Sequence, residues 1–327
     1  MLERLADLRV IRPPTHDCAT SDSADTARRT EPEMTPLTNA QTSRHDEELR
    51  RNSIKQRLLT QWPKPAIRAR YLKSLFRGEI ELRLLPWLCN PPLASIDVGA
   101  HHGIYSYGVS LFSKHVIAIE PQANLARALR QALSSSVSVI EGALSDRPGT
   151  ATINIPINDW DSTARLDLVA STAAEDVQQW REQPVTLMRL DDIVAEPIGF
   201  VKIDVEGHEL EVLEGAKNTI TTNKPTLLIE VEERHRIGSC DAVAALLLSY
   251  GYRGYFVFRG AVRPFHEFSA RTHQVQSLIG TGDRSSYSDY INNFIFVQRP
   301  DMLPSSVPSS WSALANSLHR LPRTTKP

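Results

Sequence analysis

The chain has 327 residues, 41% hydrophobic and 23% charged, which excludes a wholly disordered or collagen-like polypeptide and allows two average domains or one large α/β domain with appendages. Its 37 Lys and Arg nearly cancel 38 Asp and Glu, leaving a formal net charge of −1, so no global field would hold it on nucleic acid or an anionic membrane. Three cysteines, Cys18, Cys89 and Cys240, are odd in number and far apart; this argues against a disulfide framework and fits a reducing, cytoplasmic compartment.

Residues 1–53 read as a disordered leader. The first aromatic residue is Trp62, and between Pro13 and Glu48 only Met34 and Leu37 are sizeable aliphatics, too few to offset the entropy of ordering. Glu3, Arg4, Asp7, Arg9 and Arg12 occupy the place a secretory signal would fill with apolar residues. Two amphipathic helices are expected over 54–76 and 79–88, packing as residues 54–90 on the domain that follows.

From residue 91 to 298, short β-branched runs alternate with helical patterns, the signature of βαβ units around a parallel sheet. Seven strands are expected at 94–98, 116–120, 137–141, 200–205, 226–231, 255–258 and 294–298, with helices over 104–112, 123–133, 209–221 and 241–249. Residues 151–155 and 185–190 resemble extra strands flanking a polar insert, 158–183. Little helical periodicity joins the last two strands, which suits an antiparallel end to the sheet. Residues 299–327, rich in Pro and Ser, are expected to form a flexible tail, and no apolar run reaches the roughly 20 residues that span a bilayer.

The first strand ends in Asp97-Val98-Gly99-Ala100-His101-His102-Gly103, a glycine turn opening a helix. Such a turn aims backbone N–H groups at whatever sits above the strand. Its G-x-x-x-G spacing differs from the G-x-G-x-x-G that makes room for a pyrophosphate, and Asp97 disfavours a phosphate while suiting an amino group or a sulfonium. The second strand ends at Glu120, where a carboxylate can accept hydrogen bonds from both hydroxyls of a ribose.

These residues, with Ala143-Leu144-Ser145-Asp146, Leu190-Asp191-Asp192 and Lys202-Ile203-Asp204-Val205-Glu206-Gly207-His208-Glu209, resemble the FkbM family of S-adenosylmethionine (SAM)-dependent methyltransferases. The resemblance runs from about Gly78 to Phe296 and implies a class I methyltransferase fold: a Rossmann-like, seven-stranded, mostly parallel sheet with an antiparallel last strand and helices on both faces. It implies SAM as cofactor and O-methylation as the usual chemistry. It assigns Asp97, Gly99, Ala100 and Gly103 to the methionine part of SAM, Glu120 to the ribose, and Ala143, Leu144 and Asp146 to the border of the adenine. His101 stands where the family more usually has Asn; no metal is expected there.

Methyl transfer to oxygen is an in-line displacement that needs alignment and removal of the hydroxyl proton. Asp204, Glu206 and His208, at the end of the fourth strand, are the nearest candidates, with Asp204 beside the cofactor methyl and Glu206 or His208 beside the acceptor. Alternation puts Lys202 on the face of Asp204, as part of the site or as a structural ion pair. Glu230, Glu232 and His235 after the fifth strand, and Trp160 and Ser162 in the insert, are candidates for holding the acceptor, with further contributions from His266, His273 and Gln274. The expected acceptor is a hydroxyl of a sugar, glycan or polyketide-like small molecule rather than nucleic acid. A nicotinamide-dependent oxidoreductase and a catalytically degenerate binding module are the alternatives.

Overall fold

The computed structural model describes residues 63–156, 165–166, 180–278 and 289–308. Its elements in chain order begin with helix α1 (Pro63–Arg77), a 3-10 turn (Ile80–Leu84) and the short α2 (Leu85–Leu88). They continue through β1 (Ala94–Val98), α3 (Ile104–Ser110), β2 (His115–Glu120), α4 (Ala123–Ala132), β3 (Val137–Glu141), β4 (Ala143–Leu144), β5 (Gly149–Pro156), β6 (Arg165–Leu166) and β7 (Trp180–Met188). The second half comprises α5 (Leu190–Ile193), β8 (Ile198–Ile203), α6 (Glu209–Glu214), α7 (Lys217–Asn223), β9 (Thr226–Glu230), α8 (Ser239–Ser249), β10 (Arg253–Phe258), β11 (Ala261–Pro264), α9 (Ala270–His273) and β12 (Asn293–Val297).

Eight strands form the main sheet in the order β11-β10-β12-β9-β8-β1-β2-β3. The neighbours β9, β8, β1, β2 and β3 pair in parallel, whereas β12 runs antiparallel between β9 and β10. The seven expected strands are all present, and β11 adds an eighth as the outer arm of a hairpin with β10. Alternation along each strand feeds two cores. Ile96, Val98, Ile203, Leu227 and Ile229 pack under α6, α7 and α8 on one face; Val116, Ala118, Phe200, Leu228 and Ile295 pack under α1, α3 and α4 on the other. On this second face β1 presents Ser95 and Asp97, and β8 presents Lys202, directly opposite Asp97 in the parallel register. Charged groups are therefore built into a face otherwise closed by aliphatic side chains.

Four expectations change in the structure. The helix expected over 209–221 is two helices, because Gly215 passes so close to the Ser145 carbonyl that a Cβ there would sit 2.0 Å from its oxygen. The new start is capped by Asp191, whose carboxylate accepts from the N–H groups of Asn218 and Thr219 at 2.9 and 2.8 Å. The helix expected over 79–88 is a 3-10 turn followed by a four-residue helix with Pro86 in its first turn. Part of the segment expected to be a flexible tail is packed: Val262 donates to Ser305, Val307 donates to Gly260, and Val307 is buried, so residues 305–307 run along the otherwise open edge of the hairpin. The extra strands are longer than expected: β5 and β7 pair antiparallel from Gly149 opposite Leu187 to Pro156 opposite Trp180, forming a small second sheet with β4 and β6.

Candidate active site

A cleft opens at the C-terminal ends of β1, β2 and β8. Gly99, His101, Glu120, Leu144, Asp204 and Glu206 are among the residues on its wall. The glycine is there for a steric reason. Gly99 has φ +79°, and a Cβ on it would lie 1.8 Å from the Asp204 carbonyl oxygen, so only glycine lets the end of β1 pass against the end of β8. The Asp204 N–H donates to the Val98 carbonyl at 3.0 Å and closes the same junction.

The loop spends its amide donors internally. The N–H groups of Gly99 and Ala100 both donate to the Ile119 carbonyl at 3.0 Å, and that of Gly103 donates to Ala100 at 2.7 Å. The expectation that this turn aims its N–H groups outward is corrected accordingly. Ala100 and Gly103 lie behind the wall; a Cβ on Gly103 would strike Leu129 and Ile67, so this glycine lets α3 pack against α4 and α1.

Glu120 gathers the loop to β2. Its carboxylate accepts from the N–H of His101 at 2.7 Å and of Gln122 at 2.9 Å, and burial lifts its pKa to about 7 against those two donors. Asp97 is fully buried and off the cleft wall: Ser106 donates to it, Lys202 lies across the strand pair, and burial raises its pKa to about 6. Ala143 and Leu144 reach the wall, whereas Asp146 stands outside it, accepting from the Ser145 hydroxyl.

At the end of β8 the chain brings charged groups together. The Lys202 ammonium is 1% exposed; it donates to Asn293 Oδ1 at 3.1 Å and lies 3.6 Å from Glu230 and 3.8 Å from Asp204, with the Tyr105 ring centroid at 5.1 Å. Burial raises the pKa of Asp204 to about 7 despite this cation, and that of Glu230 is raised well above the usual range by burial and by Asp204. Asn292 donates to Glu230 at 2.6 Å, and Tyr105 donates to Glu79 at 2.6 Å at the far side of the cluster.

Beyond Asp204, Glu206 adopts φ +54° and Gly207 φ +102°, and this turn lays Glu206 against His235, with Nδ1 3.0 Å from the carboxylate. Glu232 is gripped by both Arg234 nitrogens and by the Tyr290 hydroxyl. Glu206, Glu232 and His235 each place one potential metal-ligand atom within 4.8 Å of the others, and His235 Nε2 is buried without a hydrogen-bond partner. The hydrogen bonds to Glu232 are sufficient to explain its position, so no ligand is required by the cluster.

His208 is off the wall as well. Its Nε2 pairs with the Ser145 hydroxyl at 3.0 Å, its Nδ1 faces Glu211 at 3.6 Å, and burial lowers its pKa. His273 packs among Phe256, Phe258 and Phe268, His266 is exposed, and Gln274 staples Val231, Glu233 and Ile291 through three hydrogen bonds. Trp160 and Ser162 lie outside the described residues. Sequence reasoning gave no role to Asn293, Tyr105 or Glu79. Asn293 is signalled only by its place opposite Glu230 in the antiparallel register, which needs the strand order to be known.

Residues 97–253 match the family model of the methyltransferase FkbM domain. The chain carries an FkbM methyltransferase domain. Its sheet, with one antiparallel strand inserted beside β9, is that of the class I methyltransferases. Among solved structures, methyltransferase FkbM from Methylobacillus flagellatus KT is similar at 18% identity and TM-score 0.38, over 76% of this chain and 60% of that one. This chain thus spans less than two thirds of that protein. A SAM dependent methyltransferase from Aquifex aeolicus is similar at 14% identity and TM-score 0.35 (69% and 92% covered), and an rRNA methylase from Streptococcus thermophilus at 12% and 0.37 (67% and 93%). No curated protein matches the chain. Among the described residues, no helix is long and apolar enough to cross a membrane.

Proposed function

We propose that this FkbM domain binds SAM in the cleft and methylates a hydroxyl of a sugar, glycan or polyketide-like small molecule. The observation that carries the reading is the pairing of Glu120 with Asp204 across one cleft, a carboxylate at the tip of β2 and another at the end of β8, with Gly99 between them. The side chains on the wall suit the cofactor. Ile119, Leu144 and Ile153 offer an apolar wall for a base. Glu120 keeps lone pairs free on both oxygens for ribose hydroxyls. Bound SAM would supply an electrophilic methyl on its sulfonium.

The chain's own part is binding, orientation and handling of a proton. Gly99 faces the methionine end, Ala100, Gly103 and Asp97 hold the loop from behind, and Ala143 and Leu144 border the adenine. Asp204 is the base in this reading. It is on the cleft wall, and a pKa of about 7 lets it both remain ionised at neutral pH and accept a proton. Glu206, also on the wall, orients the acceptor with His235 behind it, and Glu230 and Glu232 complete that side. His208 and Asp146 support the β4 loop and carry no step.

Calorimetry tests the reading. SAM and its demethylated product S-adenosylhomocysteine (SAH) are expected to bind and NAD not; at one hundred times its dissociation constant, the ligand stabilises the fold by about 2.7 kcal/mol. Absence of binding by both sulfur ligands would refute it. Labelled SAM with a fractionated extract of the source cells then identifies the acceptor, and label appearing only in RNA or protein would refute the small-molecule assignment.

A further inference from the structure

We propose that Lys202 is a positioning residue for the cleft: one buried ammonium, shared between Asp204 and Glu230, fixes on Asp204 the negative charge presented at the cleft wall, where it would meet the sulfonium of bound SAM. The inference rests on the reading of the cleft as a SAM site and adds to it how the site distinguishes a charged substrate from its neutral product.

The geometry is a three-strand arrangement. Lys202 belongs to β8, Glu230 ends β9, and Asn293 opens β12 directly opposite Glu230. The ammonium reaches all three neighbours within 3.1 to 3.8 Å and closes its fourth side on the Tyr105 ring. A lysine 1% exposed is shielded from bulk solvent, so its position is set by these contacts. The two carboxylates are not equivalent. Asp204 is 30% exposed and lies on the cleft wall, whereas Glu230 is 19% exposed, lies off the wall and has Asn292 as a second partner. The more hydrated carboxylate is the easier one to ionise, and this puts the charge on Asp204 and the proton on Glu230.

Other charged groups bear on the cluster from every side. Asp97 faces it from β1, Glu79 and Glu81 from the segment before α2, and Glu206 and Glu209 from the turn into α6. Lys202 is the cation among these carboxyls, so removing it leaves their mutual repulsion uncompensated. SAM and SAH share every group except the methyl and its sulfonium charge. The ratio of their dissociation constants therefore reads the charge that Asp204 presents, independently of any acceptor.

The test is calorimetric titration of the full chain with SAM and with SAH from pH 5.5 to 9. The wild type is expected to gain preference for SAM several-fold as pH rises through a midpoint near neutrality. In Lys202→Met the midpoint moves up by about one pH unit or more, the usual effect of losing an adjacent opposite charge. Lys202→Arg keeps the charge and the wild-type midpoint. Glu230→Gln also keeps it, because Glu230 already holds a proton. A role confined to stability would lower the melting temperature of Lys202→Met and leave the midpoint in place, which overturns the inference. A downward shift in Glu230→Gln overturns it too, since the charge would then lie partly on Glu230. If Lys202→Met fails to fold, Lys202→Arg and Glu230→Gln decide on the same criteria. Binding of both ligands by the wild type with no pH-dependent preference refutes the inference alone; binding of neither refutes the SAM reading and the inference with it.

Discussion

The two sides of the cleft are built differently. On the β1–β2 side, polar contacts run between backbone and a single side chain: Ile119 takes two loop amides and Glu120 takes two more, all within residues 99–122. On the β8–β9–β12 side, the contacts run between side chains from five separated stretches, Glu79, Tyr105, Lys202 with Asp204, Glu230, and Asn292 with Asn293. The first side fixes a backbone shape, set by Gly99 and held by the Glu120 carboxylate. The second fixes a charge distribution, which depends on every member and can be retuned by one substitution. In the proposed reading, the first side would hold the cofactor and the second the acceptor.

Gly99→Ala strikes the first side hardest. The added methyl would lie 1.8 Å from a carbonyl oxygen at φ +79°, so overpacking and backbone strain add. A loss of about 3 kcal/mol or more in denaturant unfolding is expected, with loss of SAM binding. A stable variant that still binds SAM would mean that the β1–β8 junction is not rigid.

Glu120→Gln comes next and concerns affinity. An amide of the same size keeps one acceptor oxygen but loses the charge and confronts the N–H of His101 or Gln122 with an NH2 group. SAM is expected to bind about tenfold to a hundredfold more weakly, about 1.4 to 2.8 kcal/mol, in calorimetry. Unchanged affinity would remove the ribose from this carboxylate.

Glu81→Gln tests whether the second side carries surplus negative charge. Glu81 is fully buried, and burial with the neighbouring Glu79 raises its pKa from 4.5 to about 8. A folded-state pKa above the unfolded value means that the native state holds the proton more tightly, so its stability contribution is full below pH 4.5 and is lost as pH rises through about 8. The glutamine variant escapes that loss. It should be close to wild type at pH 4.5 and more stable by about 2 kcal/mol at pH 8.5 in chemical denaturation.

The same division explains what was legible in the sequence. The seven main strands, the glycine turn and the β2 carboxylate follow from local periodicity and spacing, because the β1–β2 side is made within some 25 residues. Lys202 and Asp204 share a face by alternation alone, and the structure brings them within 3.8 Å. Asn293, Tyr105 and Glu79 were not legible, since their meaning comes from strand order and from the packing of α3 on the sheet. The break at Gly215 was hidden because its cause, the Ser145 carbonyl, is 70 residues away. Asp191 was visible as part of a motif, yet its role as cap of α7 appears only once that break exists. The outward aim of the loop amides failed for a different reason: a carbonyl on the next strand and the Glu120 carboxylate are closer acceptors than a ligand.

The smallest expected effect joins the two sides, because Asp97 lies on β1 but faces the Lys202 cluster. Ser106 donates to this buried carboxylate from α3 and holds its pKa down against burial, to about 6 from an unfolded value of 3.8. Removing the hydroxyl in Ser106→Ala lets the folded-state pKa climb further. Because a raised pKa costs stability as pH rises through the interval between the unfolded and folded values, the variant continues to lose stability above pH 6, where the wild type has finished losing it. The deficit relative to wild type should be about 0.5 kcal/mol at pH 5, where Asp97 is mostly protonated, and about 1.5 kcal/mol at pH 8, the lower end for a hydrogen bond to a charged group. SAM affinity should stay within about twofold of wild type, since Asp97 is off the cleft wall. A pH-independent deficit would mean that Asp97 stays ionised without Ser106, held by Lys202 alone, and the polar face of β1 would then belong to the charge cluster rather than to the loop it supports.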